Sequence, residues 1–479
     1  MTSVKSNLLY SVLLTLSTYL VPLIVFPYIS RVLGVEGIGI VDTVDNLMDY
    51  CVLFSMMGLA SVGVREIAKS KDNPAALSQT FTDLFALNFC STVIIAVVFL
   101  TAVWMSPRLQ SFGMLIPIGM MKLMANLFWI EWLYTGLEQF RYITIRSVLL
   151  RVLFIISVFL LVKSQTDTAT YYALFVGITV GNGLCNWLHK RTYLHWDIRK
   201  ANIRHYMVPF FMLGLFAMLS AVYTKLSLPV LNFLSNDQEA GNYATAVRLY
   251  QVIIALISTL TGVMIPRMSV LLKERQYDMV RYYTDNSFKL LFLAAFPLII
   301  FIEIFAYDIV HVFAGSQFDG AVLPMRIVML QLLVCGAEKI VVLQLLIPLR
   351  KDRTIIVAGI AGVTTWCVLT ALLVPTLLSV GTSLIWIAVE LVVLLIANHE
   401  VSRTLGISLP LRLLLRSCLY AIPYALIGAA VYYLTPSSVL RIVLCILLFP
   451  VYALVLEYKV YQIGIVNTIK SHLNHHRPQ

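Results

Sequence analysis

Apolar runs of about 20 residues recur along nearly the whole of this 479-residue chain, and each is long enough to cross a hydrocarbon core roughly 30 Å thick. They leave no stretch for a soluble domain. Hydrophobic residues make up 60% of the chain and charged ones only 12%, against about 25% in a soluble domain. Mean hydropathy is +0.87. These values define an all-α, polytopic membrane protein. The first apolar run lacks a small-residue cleavage site after it, so it is read as a retained helix and not as a removed signal peptide.

Breaks rich in charge, glycine or proline divide the runs into about fourteen spans, with 12 to 14 as the range. They fall near 8–33, 38–64, 82–105, 112–135, 143–163 and 168–189, then 206–233, 243–266, 286–313, 321–348, 354–375 and 380–400. A last pair lies near 410–434 and 439–461. With the N-terminus in the cytoplasm, twenty-four lysines and arginines, Arg146 among them, collect on the inner side. Only Arg31, Arg108, Lys163 and Arg441 fall outside. Such a bias fixes both termini as cytoplasmic. The net charge of +11 therefore sits in short loops and forms no long basic face for a nucleic acid. The seven cysteines are scattered through apolar segments without metal-ligand spacing, so they read as core residues and no metal site is expected.

The basic segment between Lys190 and Arg204 separates two groups of six spans. Each group opens alike, with a proline-bearing span, a glycine-containing break and a second long span ending at Arg65 or Arg267. The implied divisions are bundles at 1–190 and 206–403, a linker at 191–205, a helix pair at 404–465 and a polar cytoplasmic tail at 466–479. Parallel repeats of this kind put a substrate path between the halves, opened to either side by rocking.

Charges inside the apolar spans are the candidates for function, because each costs about 2.5 to 3.5 kcal/mol to insert and needs a partner or a watery cavity. The stretch from Val21 to Gly34 places Arg31 at the far end of a first helix bent by Pro22 and Pro27. Lys225 and Arg248 lie at similar depth on consecutive spans, and Lys122 shares a helical face with Asn126 and Trp129. Arg31, Lys122, Lys225 and Arg248 together would suit a diphosphate, since arginine offers a planar fork and lysine a point charge to phosphate oxygens. The other reading pairs each cation separately with an acid. Arg151 and Lys289 lie near cytoplasmic ends and are expected to snorkel. Asp42, Asp45 and Asp49 lie on one helical face. They would bind a coupling Na+ or H+, or balance Arg31 and neighbouring cations. Glu131, Glu303, Glu338 and Glu390 read as isolated acids. A phosphate-cradling glycine loop is absent, and His472, His475 and His476 belong to a polar tail. Outer loops are too short to house a glycan polymerase site.

Several stretches carry a family resemblance. The opening, residues 7–11 and then Pro22 through Phe26-Pro27-Tyr28-Ile29-Ser30-Arg31-Val32-Leu33-Gly34 to Gly39, resembles that of bacterial O-antigen and capsule polysaccharide flippases. Further matches are Gly63-Val64-Arg65-Glu66-Ile67-Ala68, the run from Glu131-Trp132-Leu133-Tyr134-Thr135-Gly136 to Phe140, and Tyr243-Ala244-Thr245-Ala246 leading to Ile265-Pro266-Arg267. The resemblance covers most of residues 5–350 and is vague beyond. It implies membership of the multidrug/oligosaccharidyl-lipid/polysaccharide exporter superfamily, with two six-helix bundles in a V around a cationic cavity. It also implies transfer of undecaprenyl-diphosphate-linked repeat units across the bacterial inner membrane, with a polysaccharide polymerase and a chain-length regulator as partners besides the bilayer. A cation-coupled multidrug antiporter on the same fold is the alternative, and a membrane glycan polymerase is the third.

Overall fold

The computed structural model describes residues 4–194 and 202–461; part of the expected 191–205 linker and the 466–479 tail lie outside the described residues. Every element is helical, with no strand among the described residues. The chain divides into two compact units, Met1–Gly241 and Asn242–Gln479.

The first unit opens with α1 (Val4–Met56), which is two rods in one. Gly34 joins them at φ 75°, ψ 179°, a region that only glycine occupies without strain. This bends the chain where the expected first span ends, three residues after Arg31. Pro22 and Pro27 each remove a backbone donor from the first rod. After Met56 come α2 (Leu59–Ser70), α3 (Pro74–Met105), α4 (Pro107–Gln110), α5 (Leu115–Trp129) and α6 (Glu131–Gly136). The starts have local causes: Asn73 Oδ1 accepts from the amides of Ala75 and Ala76 at 3.1 and 3.2 Å, with Pro74 in the first helical position, where its missing N–H costs nothing. Then α7 (Phe140–Leu161) and α8 (Thr168–His189) form an antiparallel pair. Asp167 Oδ2 caps the turn between them, accepting from the Lys163 and Ser164 amides at 2.8 Å each. These backbone hydrogen bonds hold its carboxyl below the usual carboxylate range. The unit closes with α9 (Arg204–Lys225), α10 (Ser227–Leu234) and the first residues of α11 (Asp237–Lys273).

The second unit holds the rest of α11, then α12 (Tyr277–Phe313), α13 (Val322–Lys339), α14 (Asp352–Leu405), α15 (Leu411–Leu434) and α16 (Ser438–Leu456). α13 runs on into a π-helical stretch at Ile340–Leu346. Leu378, at φ 52°, breaks α14 between the expected spans 354–375 and 380–400. Among the described residues, eight helices are long and apolar enough, by length and composition, to cross a membrane. On α15 the residues Leu411, Leu415, Leu419, Ile422 and Leu426 are each more than half exposed. Spaced three and four apart, they make one continuous apolar stripe that water would not tolerate and a bilayer would.

Several expectations change here. The expected span 38–64 is interrupted at Met57-Gly58, and 112–135 is cut at Ile130, which takes a left-handed conformation at φ 33°, ψ 34°. Cys90, Cys185, Cys367 and Cys418 are exposed, not core; Cys335 and Cys445 are buried. An exposed thiol on an apolar helix face meets hydrocarbon as readily as a methyl group does. Arg151 is tied to α1: its guanidinium donates to the Leu14 carbonyl at 3.1 Å and to the Ser17 hydroxyl. Arg441, assigned to the outer side, pairs with Asp308 at 3.2 Å.

Candidate functional site

The second rod of α1 carries Asp42, Asp45 and Asp49, and α5 packs beside it with Lys122 facing two of them. Lys122 Nζ donates to Asp45 Oδ1 and Asp49 Oδ1, both at 2.6 Å. Lys225, the last residue of α9, donates to Asp49 Oδ2 at 2.7 Å. One carboxylate is thereby shared between two ammonium groups, and one ammonium between two carboxylates. The sequence places these partners 73 to 176 positions apart. Lys122 is 9% exposed and lies 5.6 Å from the Phe175 ring centroid. Lys225 keeps 41% of its side chain exposed. Tyr172 sets its hydroxyl beside Asp45 without closing a hydrogen bond, and Asn46 donates to the Asp42 carbonyl at 2.8 Å.

So the two readings of the aspartate face separate in part. Asp45 and Asp49 balance cations, and the ones they hold are Lys122 and Lys225. Arg31 is exposed and its guanidinium donates to the Pro27 carbonyl of its own helix. Arg248 lies on α11 in the second unit and is half-buried. Two lysines against Asp45 and Asp49 make a charge-balanced cluster. In a medium less polar than water, removing either partner leaves an uncompensated charge that costs about 3 to 5 kcal/mol.

A second network in the same unit went unread in the sequence. Arg146, assigned there to an inner loop, is 6% exposed. It reaches Glu131 Oε2 at 3.1 Å, the Asn186 side-chain carbonyl and the Ser147 hydroxyl at 3.2 Å. Glu131, which read as an isolated acid, also accepts from Trp129 Nε1 at 2.6 Å. Asn186 donates to the Trp129 carbonyl, and Tyr134 donates to the Asn186 carbonyl at 2.6 Å. The break at Ile130 thus has the Trp129 carbonyl tied to α8. Conserving helical geometry through Ile130 would separate Trp129 from Glu131. The only sequence signal was a run of polar-capable residues, Asn126, Trp129, Glu131 and Tyr134, inside an apolar span.

Two of the segments that carried the resemblance, those of Gly63 and Trp132, pack on each other. Gly63 of α2 lies flat against the Trp132 ring, so close that a Cβ there would sit 2.8 Å from a ring carbon. Lys71 and Glu138 close the far edge at 3.1 Å.

In the second unit a different polar group is buried. Gln331, Cys335 and Glu338 share one face of α13, and Trp386 and Glu390 share one face of α14. Glu390 is 6% exposed and Gln331 is fully buried. Tyr250 packs edge-on against Trp386 at 5.2 Å. Among the described residues, both side-chain atoms of Gln331, the Tyr250 hydroxyl and Trp386 Nε1 have no hydrogen-bond partner. No group of three or more His, Cys, Asp or Glu side chains placed to hold a metal occurs among the described residues.

Comparison with known proteins agrees with this architecture. A protein of Escherichia coli K12 named "Putative O-antigen transporter" is 25% identical over 339 residues, 68% of this chain and 79% of its own. The like-named protein of Shigella dysenteriae is 23% identical over 277 residues, 56% of this chain and 68% of its own. Among solved structures, the lipid II flippase MurJ in an inward-closed conformation superposes with a TM-score of 0.70 at 14% identity, covering 95% of this chain and 99% of that one. An inward-facing multidrug-resistance MATE transporter of the MOP superfamily gives 0.61 at 14% identity, over 81% and 94%. At that identity the likeness is one of fold. The fold is therefore that of the MOP superfamily, and the relatives matched in sequence are named as transporters, not as enzymes. The sequence pattern of the polysaccharide biosynthesis protein family matches residues 4–272, more than half of the 479. This chain is a multi-pass membrane protein of the polysaccharide biosynthesis protein family.

Proposed function

We propose that this protein is a flippase that moves undecaprenyl-diphosphate-linked oligosaccharide repeat units from the inner to the outer leaflet of the bacterial cytoplasmic membrane. The observation that carries the reading is the shared carboxylate of Asp49 between Lys122 and Lys225. Lys122 is held by Asp45 as well, so it stays compensated if Asp49 lets go; Lys225 does not. An arriving diphosphate offers phosphate oxygens to the half-exposed Lys225 and takes over the role of Asp49. Proton or Na+ uptake by the aspartates would free the lysine in the same way, which gives coupling a place without fixing the ion. Arg31 and Arg248 are further candidates to bind phosphate. Alternating access follows from rocking of two six-helix bundles, 1–190 and 206–403, with the pair at 404–465 set apart. Both termini are assigned to the cytoplasm. A polymerase and a chain-length regulator are the expected partners outside.

Deleting the gene tests the reading directly. Mass spectrometry of membrane lipids should find a single diphosphate-linked repeat unit accumulating, with surface polysaccharide lost. The Lys225→Gln, Arg248→Gln double variant should insert normally and fail to restore export. Wild-type export by that variant would remove the cationic site from the mechanism.

A cation-coupled multidrug antiporter is the second reading. It is favoured by one feature: Asp42, on the same face and within electrostatic reach of Asp45, adds a third carboxylate to two lysines. Unchanged glycan lipids on deletion, with broad drug sensitivity, would select it.

A further inference from the structure

The face of α5 that carries Lys122 continues through Asn126 to Trp129, about 10 Å further along the helix at 1.5 Å per residue. There it meets a cavity of about 320 Å3. Asn126, Trp129, Glu131, Trp132 and Thr135 supply its aromatic and polar walls, and α2 closes the apolar side. Such a volume, mostly apolar with a few convergent polar groups, is that of a small-molecule site.

Its chemistry can be read group by group. The Trp129 indole is half-buried and held in orientation by its bond to Glu131 Oε2. Arg146 binds that same oxygen, so the carboxylate is already neutralised and Oε1 is left to accept from a hydroxyl. Asn126 is nine-tenths buried, and its amide nitrogen has no hydrogen-bond partner among the described residues. A fixed aromatic face, one carboxylate oxygen and one unmet amide donor fit a ring with a flat C–H face and hydroxyls around its rim. A cation fits less well, because Arg146 has taken the charge of Glu131. A hydrocarbon tail would leave the Asn126 donor unmet. The left-handed turn at Ile130 points the same way: a β-branched residue rarely holds φ of 33°, and this one brings Glu131 back onto Trp129.

We infer that the cavity at the α5–α6 break is a sugar subsite, which takes a pyranose of the lipid-linked glycan while the diphosphate lies at the lysine cluster. This rests on the flippase reading given above and adds to it the residues that recognise the glycan.

The test uses the purified full-length protein in lipid nanodiscs and two probes: the polyprenyl-diphosphate glycan extracted from the deletion strain, and bare undecaprenyl diphosphate. The wild-type protein should prefer the glycan-bearing lipid by up to about tenfold, the range of one aromatic stack. Trp129→Ala and Asn126→Ala should each erase that preference and keep the affinity for the bare lipid; Trp129→Phe should retain most of it. Preference surviving in both alanine variants overturns the sugar subsite and leaves the flippase reading standing. So does a wild-type protein that binds the two probes equally, or a loss in the alanine variants that is the same for both. A wild-type protein that binds neither probe overturns the flippase reading and the subsite with it.

Discussion

One buried polar cluster in each unit is built in an opposite way. In Met1–Gly241, Lys122, Lys225, Asp45 and Asp49 are closed on one another at 2.6 to 2.7 Å. In Asn242–Gln479, Gln331, Tyr250 and Trp386 keep buried polar atoms without hydrogen-bond partners among the described residues, beside Glu338 and Glu390. A closed ionic cluster resists loss of any member, because the survivor is stranded in poor solvent. An open polar group is already unmet, so its removal costs little. The lysine–aspartate cluster is thus a lock, and the polar group around Gln331 is room.

The largest expected effect breaks the lock. Lys122→Met strands Asp45, while Asp49 keeps Lys225, and should destabilise the protein by about 3 to 5 kcal/mol, read as a fall in apparent melting temperature in detergent. Adding Asp45→Asn should recover most of the loss, since Asp49 keeps Lys225 and neither is then left unpaired. If Lys122→Met alone is neutral, water must already solvate the cluster, and the contrast between the units fails. Next in size is Gly63→Ala. The added methyl has no space against the Trp132 ring, and overpacking of this kind costs about 1 to 3 kcal/mol. Lys225→Gln should be milder for stability, within about 1 kcal/mol for a pair this exposed, yet should abolish export. A stability loss as large as that of Lys122→Met would make Lys225 part of the lock and not its release.

How much of this was legible beforehand depended on whether the cause was local. The ends of α8 at Thr168 and His189 coincide with the expected 168–189, because the polar turn from Lys163 to Asp167 and the basic run after His189 are written in adjacent residues. Pro375 and Gly381 likewise flagged the break that falls at Leu378. Ile130 gave no such signal: an isoleucine in an apolar run reads as helix interior, and its left-handed turn is imposed by Asn186 and Arg146 from other helices. Gly58 was a usable signal for the break at Met57, passed over inside a long apolar window. For the site, helical spacing placed the aspartates on one face and Lys122, Asn126 and Trp129 on another. Which cation met which acid depended on tertiary packing across 73 residues and more, and no single sequence contains that register. The assignment of Arg146 to a loop failed for the same reason.

The second unit offers the complementary test, with an effect of opposite sign. Gln331→Met replaces a fully buried amide whose two polar atoms have no described partner by an apolar chain of similar length. The amide gains no hydrogen bond in the folded state to set against the ones it made to water, so its replacement should be neutral or stabilising by about 1 kcal/mol. A clear loss of stability would mean that the amide is satisfied by bound water, and the row on α13 would then be a hydrated path.

The smallest effect lies outside the apolar spans. Burial of Glu66 on α2 works against its ionisation, but hydrogen bonds from Lys69 and Arg65 at 3.0 and 2.8 Å outweigh it and leave the carboxyl below its usual range. A carboxyl lowered on folding adds stability above its unfolded pKa and loses it as pH falls through the folded value. Glu66→Gln should therefore flatten the acid limb of the stability profile below about pH 4.5, the ordinary range of a glutamate, and change little at neutral pH. Its partners are more than half exposed, so the difference should stay under about 1 kcal/mol. The same substitution should leave the Lys122 cluster untouched, and an acid limb that persists in Glu66→Gln would point to carboxylates elsewhere in the chain as its source.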